Sequence, residues 1–524
     1  MAASLAAAPS LLSLSRSKNP MDALKAGKIT SDFIEPSQAC IKKPVQFETG
    51  KKNRVLQLED QAEAAVPKVA KITLNDCLAC AGCITSAETV LIKQQSIEEF
   101  ERMLGAASTS YDLVVVSLSA PARAAIAVHC GLGLREVQGR LSGFLKGIGC
   151  HHVVDCSVAA EVGLLQSAAE FLHRVRSHNT TSPAAHPAAA ARSSSSATDA
   201  ALPLPLFTSS CPGWVCYAEK MVGDAILPFL SKVKSPQQIQ GTLLKYGHAA
   251  AAGLRPERVC HVSVMPCFDK KLEASRDDFF NPDAGPNGSR DVDCVLSSAE
   301  LLTLLEQRGC AMIDGAMIDG CAPATEPDSE PSLSRFVGSV GSGGGDLTYA
   351  SPGASGGTAE FVFRCAAKEL YGVDMPPGPL PWTRGKNSDL HELELSHGGQ
   401  VVLKFCRAFG FRNIQNIVRR AKSGRCPYQL VELMACPAGC ANGGGQPKPP
   451  KLEAPARAAA VEARLIDPSE STQRGPLERP CLQALYAPGG FLAGGPYGEA
   501  CQRHLLTSFH AVDASAQDPL AVQW

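Results

Sequence analysis

Three cysteines within seven residues set the first limit on what this chain can fold into. The segment NDCLACAGC places Cys77, Cys80 and Cys83 in a C-x2-C-x2-C run. One short loop with that spacing wraps three corners of a 4Fe–4S cubane. Structural zinc sites favour separated C-x2-C pairs, so the tight triple suits a cubane better than zinc. A bacterial ferredoxin run would add a fourth cysteine four residues on, followed by proline. Ala87 and Glu88 stand at those positions, so the fourth thiolate comes from elsewhere. Cys40, in PSQAC, is the only other cysteine before residue 130 and is the expected fourth ligand.

The chain holds 21 cysteines in 524 residues. Secreted disulfide scaffolds are short and denser in cysteine, and an odd count argues against a fully paired set. Reduced thiols fit better, some of them as metal ligands, and the cytoplasm is the expected location. Single cores stop growing at about 250–300 residues, so two or more lobes are expected. Charged residues make up 19% and the formal net charge is −1, with no long basic run. That balance makes no case for nucleic acid or a membrane surface as partner. No apolar run reaches the roughly 18–20 residues of a bilayer span. The first 20 residues lack Asp and Glu and carry Arg16 and Lys18 among Ala, Ser and Leu. The expected reading is a non-functional extension, with the working protein starting near Met21; the alternative that this composition suits is an organellar transit peptide.

The apolar run Leu113 to Leu118, with Val114, Val115 and Val116, reads as a buried strand opening an α/β lobe. A second strand is expected near Val153 and Val154, and another over Val401 to Phe405. The short apolar runs 204–207 and 261–265 each end at a cysteine-bearing loop. Residues 178–202, rich in Ala and Ser, and 322–358, rich in Gly, Ser and Pro, read as flexible insertions. Residues 311–320 repeat AMIDG twice, a local duplication and not a solenoid period. The Pro- and Ala-rich stretch 447–480 reads as a linker.

Three further segments carry cysteines: TSSCPGW at 208–214, MPCFDKK at 265–271 and MACPAGCANGGGQ at 434–446. Cys436 and Cys440 are four apart with Pro437 between them, as at the first turn of a helix, so both thiols would share one face. Gly443, Gly444 and Gly445 allow close backbone approach. Isolated cysteines are usually buried structural thiols, which is how the 13 others, such as Cys130, Cys260 and Cys365, are read.

Together the three segments resemble the signature motifs of iron-only hydrogenases. Their order and spacing, with DFIEPSQACIKKPV and LNDCLACAGCITSAETVLI, are similar to the hydrogenase-like cytosolic iron–sulfur assembly factors, the nuclear prelamin A recognition factor-like family. The resemblance covers about residues 31–175 and 203–446. It implies an α/β, two-lobed hydrogenase-like core over 106–446 and a small ferredoxin-like cluster region over 31–105, after an extension at 1–30. A small-subunit-like tail follows at 481–524. It implies two 4Fe–4S clusters, the second held by Cys211, Cys267, Cys436 and Cys440 in a cleft between lobes.

The resemblance also bears on catalysis. Hydrogen chemistry needs a relay of groups that gain and lose protons. Where hydrogenases read TSCCPGW, this chain has Ser210; where they carry two consecutive Glu residues, it has Gln166 and Ser167, although Glu170 remains. Lys270 matches a lysine that contacts the hydrogenase diiron subsite, and Cys440 the cysteine that bridges cubane and diiron. The segment RHLLTSFHAV at 503–512 is similar to a tail helix that wraps the catalytic lobe. The chain ends in Trp524, and family members commonly end in an aromatic residue that docks on the targeting complex; Gln523 departs from the usual acidic or hydroxyl residue before it. The expected function is a non-catalytic scaffold linking cluster-building scaffold ATPases to the late targeting complex. The rivals are an iron-only hydrogenase and an oxygen or redox sensor.

Overall fold

The computed structural model describes residues 86–181, 202–310, 331–338 and most of 353–512, with strand pieces at 312–313, 316–317 and 348–349. Cys40, Cys77, Cys80, Cys83 and Trp524 lie outside the described residues, as do the first 30 residues and, in large part, both AMIDG repeats.

The valine run forms β1 (Leu113–Leu118), with all six residues buried. β2 (His152–Asp155) and β4 (Val259–Met265) flank it in parallel, and β5 (Cys294–Ser297) pairs with β4, giving the order β2–β1–β4–β5. A parallel sheet needs helices on both faces, which is why its strands are continuously apolar. Val114, Val116 and Leu118 face one core cluster, and Leu113 and Val115 face another. The helix α1 (Ala120–Cys130), entered through a proline in its first turn, covers the first face. The long α2 (Ser157–Thr181) covers the second.

The second sheet is mixed. β3 (Leu206–Thr208) pairs in parallel with β9 (Leu430–Met434), which pairs in parallel with β8 (Gln400–Phe409). β8 turns back antiparallel on β7 (Leu390–His397), and β6 (Thr383–Arg384) closes the edge. The faces sort by the two-residue period of a strand: Phe207, Cys406, Ala408, Val431 and Leu433 on one side, Leu206, Phe405 and Leu430 on the other. The α3 helix (Thr358–Tyr371) covers the latter face, and α4 (Phe411–Lys422) the former.

The C-terminal stretches depart from the composition reading. Residues 454–466, inside the expected linker, form α5 (Ala454–Ile466). Ala458, Val461 and Leu465 recur at helical spacing and join the core over α1. Burying Val461 and Leu465 contributes about 3–6 kcal/mol relative to leaving them exposed. Within the expected insertion at 322–358, Pro331–Val337 is a helix whose Leu333, Phe336 and Val337 are buried. The tail helix runs over Glu499–Leu505, earlier than the 503–512 expected, and ends where Leu506 bridges to Val233. Among the described residues no helix is long and apolar enough to cross a membrane.

Candidate metal centre

Cys211 follows β3, Cys267 follows β4, and Cys436 and Cys440 follow β9. Carboxyl ends of parallel strands gather their loops on one edge, so both sheets deliver cysteines to the same place. All four line one cavity of about 120 Å³. Cys211 and Cys267 are buried; Cys436 and Cys440 are partly exposed. No three His, Cys, Asp or Glu side chains among the described residues converge tightly enough to hold one metal ion. The four thiols share the wall of one cavity. That suits a multi-atom cluster, whose corners hold the thiolates apart.

Glycines let the loops close on one another. A Cβ on Gly445 would stand 2.7 Å from Ser297 Cβ and 3.2 Å from Cys267 Cα. The Gly445 N–H instead donates to Pro266 O at 2.9 Å, joining the loops of Cys440 and Cys267. A Cβ on Gly213 would stand 2.8 Å from Asp269 Oδ2, so the CPGW loop and the loop after β4 are matched in the same way. Gln446, fully buried, donates to Pro121 O at 3.0 Å and to Cys440 O at 3.3 Å, and accepts from Ser298 Oγ at 2.5 Å. One amide thus ties the last cysteine loop to the ends of β1 and β5.

The Cys436–Cys440 segment is not the helical turn its spacing suggests. Gly439 N–H donates to Cys436 O at 3.0 Å, with Pro437 and Ala438 at the corners of the turn. Ala438 has φ 58°, a left-handed conformation costing a residue with a Cβ about 1–2 kcal/mol. A short 3-10 helix, Gly439–Asn442, follows. The turn is held from outside: Ala438 N–H donates to Asp389 Oδ1 at 3.0 Å and Cys440 N–H to Ser355 Oγ at 3.0 Å. Ser355 belongs to a glycine-flanked loop that walls the cavity through Gly353, Ala354 and Gly356. Glu462 of α5 accepts from Ala354 N–H at 3.1 Å, and Glu432 of β9 from Thr358 and Ala359 N–H at 3.0 and 3.2 Å.

 Cys267 is pushed well up, first by burial, then by Asp269 and by the thiols of Cys436, Cys211 and Cys440. Cys440 is pushed up to about 12 by burial and by Cys211. Cys211 is raised by burial and Asp269, an effect opposed by backbone donors; Ala435 N–H lies 3.4 Å from its sulfur. Cys211, Cys267 and Cys440 thus resist ionising together, and a bound cationic cluster reverses that preference. The cavity and its donors thus fit an iron–sulfur group by chemistry as well as by shape.

The remaining sequence candidates divide. Ser210 and Lys270 line the cavity, and Lys270 also pairs with Glu273 at 2.8 Å and donates to Ser235 Oγ at 3.0 Å. From α2, Ala160, Glu161 and Leu164 reach the cavity, and Gln166 and Ser167 are not among its lining residues. Gln166 donates to Pro496 O at 3.0 Å. Glu170 is held by Arg174 at 2.8 Å and Ser231 Oγ at 2.5 Å.

Residues 112–444 match the family described as iron only hydrogenase large subunit, C-terminal domain. The chain is 41% identical to cytosolic iron-sulfur assembly component 3 of Mus musculus, across 94% of this chain and 97% of that protein. The chain belongs to the iron-only hydrogenase-like assembly family. A plant member, Protein NAR1 of Arabidopsis thaliana, is 39% identical across 94% of this chain and 96% of its own length. Among solved structures, an FeFe-hydrogenase from Chlamydomonas reinhardtii is 27% identical with a TM-score of 0.62, covering 79% of this chain and 98% of that one. For this family member, the fold and the buried cysteines imply iron–sulfur binding.

Sequence reasoning missed Gln446, Ser355 and Asp389, which hold the cysteine loops through backbone groups and belong to no ligand-like spacing. Gln446 closes the quoted GGGQ motif and was the one with a signal. Ser355 sits in a glycine-rich stretch that looks like an insertion.

Proposed function

We propose that this chain is a non-catalytic iron–sulfur protein of cytosolic iron–sulfur protein assembly. It carries two 4Fe–4S clusters and links cluster-building scaffold ATPases to the late complex that targets apoproteins. Cys40, Cys77, Cys80 and Cys83 would hold the first cluster; Cys211, Cys267, Cys436 and Cys440 would hold the second. The observation that carries the reading is the set of four thiols from three loops in a single cavity, in a chain whose relatives are named as assembly components across nearly its whole length. When bound, such a cluster supplies one-electron chemistry and can knit its loops together.

The non-catalytic part rests on Ser210, Gln166 and Ser167. Serine and glutamine are poor proton carriers near neutral pH, and Gln166 is committed to Pro496. The fixed ion pair of Glu170 with Arg174 further favours a structural role for that carboxylate.

The test is an infrared spectrum and an iron count on protein purified anaerobically from its own cells. About eight irons per chain, as two cubanes require, without metal-bound CO or CN bands, is the expected result. Such bands would overturn the non-catalytic reading in favour of a hydrogenase. Deleting Trp524 is expected to weaken recovery of the targeting complex with iron content unchanged; equal recovery would remove that residue from partner binding.

A further inference from the structure

The chain's charges nearly cancel, yet one surface does not. From residue 400 to residue 431 there are seven basic residues and no Asp or Glu. Two of the seven, Lys404 and Arg407, are spent on ion pairs with Glu394, Glu360 and Glu432. The other five belong to α4 and the turn after it: Arg412, Arg419, Arg420, Lys422 and Arg425, all exposed. Among the described residues none of these five has an ion-pair partner; Arg419 and Arg425 reach only Asn416 Oδ1 and Ser423 Oγ, both at 3.2 Å. The opposite face of α4 is apolar and buried through Ile414, Ile417, Val418 and Ala421.

The helix dipole explains part of this. Cations in a last turn face the negative helix end, which suits Arg419, Arg420 and Lys422. It does not explain Arg412, which sits in the first turn where a cation is unfavourable, or Arg425, which lies beyond the helix. Arg412 and Arg419 are two turns apart, so the cations run about 10 Å along the helix. Four of the five are arginines, whose planar forks bind carboxylates in pairs of hydrogen bonds. Gln415 and Asn416 add exposed polar groups between them. No aromatic side chain is exposed on this stretch for bases to stack on, since Phe411 packs against Tyr217 with ring centroids 5.4 Å apart.

We infer that the exposed face of α4 is a docking surface for an acidic segment of a protein partner. Its place in the fold gives it a purpose. Gly410, which opens the helix, donates its N–H to Met434 O at 2.8 Å and lies 3.9 Å from Pro437, measured from the position of an added Cβ. The start of α4, where Arg412 stands, therefore adjoins the Cys436–Cys440 turn, and the other four cations lie further along the helix and the turn after it. That purpose rests on the assembly reading above, but the binding itself does not.

The test is fluorescence anisotropy on the full chain with a labelled peptide of alternating Glu and Ala, beside single-stranded RNA and duplex DNA of similar charge. The wild-type chain is expected to bind the peptide more tightly than either nucleic acid, and more weakly as salt rises. Arg419→Glu with Arg420→Glu is expected to weaken peptide binding by about tenfold or more. Arg102→Glu, a reversal on an exposed residue elsewhere, is expected to leave it unchanged. Thermal melting and iron content, unchanged in the double variant, separate a lost surface from a lost fold or cluster. Equal peptide affinity in the double variant, an equal loss in the control, no binding by the wild type, or tighter binding of nucleic acid would each overturn the inference.

Discussion

Three of the ligands proposed for the first cluster come from seven consecutive residues, whereas the four cysteines of the cavity span 230 positions, from Cys211 to Cys440. A local loop can present its thiols with little help from the rest of the chain. The distributed set needs two sheets in register, three loops in contact and α5 in place. The same chemistry is therefore exposed to very different kinds of damage, and substitutions far from any cysteine should separate the two sets.

The largest separation is expected from Gly445→Val. A side chain there meets Ser297 and the Cys267 backbone, so the loops cannot close. Iron is expected to fall from about eight to about four per chain, with the signal of the cluster on the local triple retained. An unchanged iron count would break the comparison. Next is Arg123→Ala. Arg123 is fully buried and paired with Asp155, and it donates to Gln138 Oε1 at 2.9 Å. Removing one partner of such a pair costs about 3–5 kcal/mol. Chemical denaturation of the metal-free chain is expected to report that loss.

A pH effect of similar or smaller size is expected from His261. It is buried between Ser117 Oγ, 2.8 Å from Nε2, and Asp291 O, 3.0 Å from Nδ1. Burial lowers its pKa to about 4, against the weaker opposing pull of the Asp291 carbonyl and Asp293. The folded chain thus binds this proton less readily than the unfolded chain does. Stability is full above about pH 6.5 and falls as pH drops towards about 4, by on the order of 3 kcal/mol. His261→Gln is expected to flatten that slope; a slope equal to wild type would remove His261 as its source. The smallest effect is expected from Glu462→Gln, about 1–2 kcal/mol from a weakened grip on Ala354. Hydrogen exchange at Ala354 should quicken with iron content unchanged, and an unaltered rate would show that the carboxylate charge does not hold the loop.

Much of this architecture is legible from residues alone because it is written in strong local signals. The valine run of β1 and the apolar runs before Cys211 and Cys267 are short and bounded by loops. The α5 helix was hidden by composition: alanine buries little area, and the prolines just before it look like those of a linker. Its signal was the spacing of Ala458, Val461 and Leu465, three and four residues apart. The turn at Cys436 was misread because Pro437 suits a first helical turn and a tight turn equally. Only the contacts of Ala438 and Gly439 with Asp389 and Ser355 decide between them. Those partners are distant in sequence, so no local pattern announces them.

The order of the cysteines along the chain also sets a schedule. Ribosomes add about 5–20 residues each second, so about 10–30 s separate the synthesis of Cys267 from that of Cys436. During that interval half of the cavity's thiols exist without the other half. Gln446 and α5, which fasten the last loop, emerge later still. Loading of the cavity is thus a task for the finished chain, and a nascent chain needs its early thiols kept reduced until the final quarter of the protein has been made.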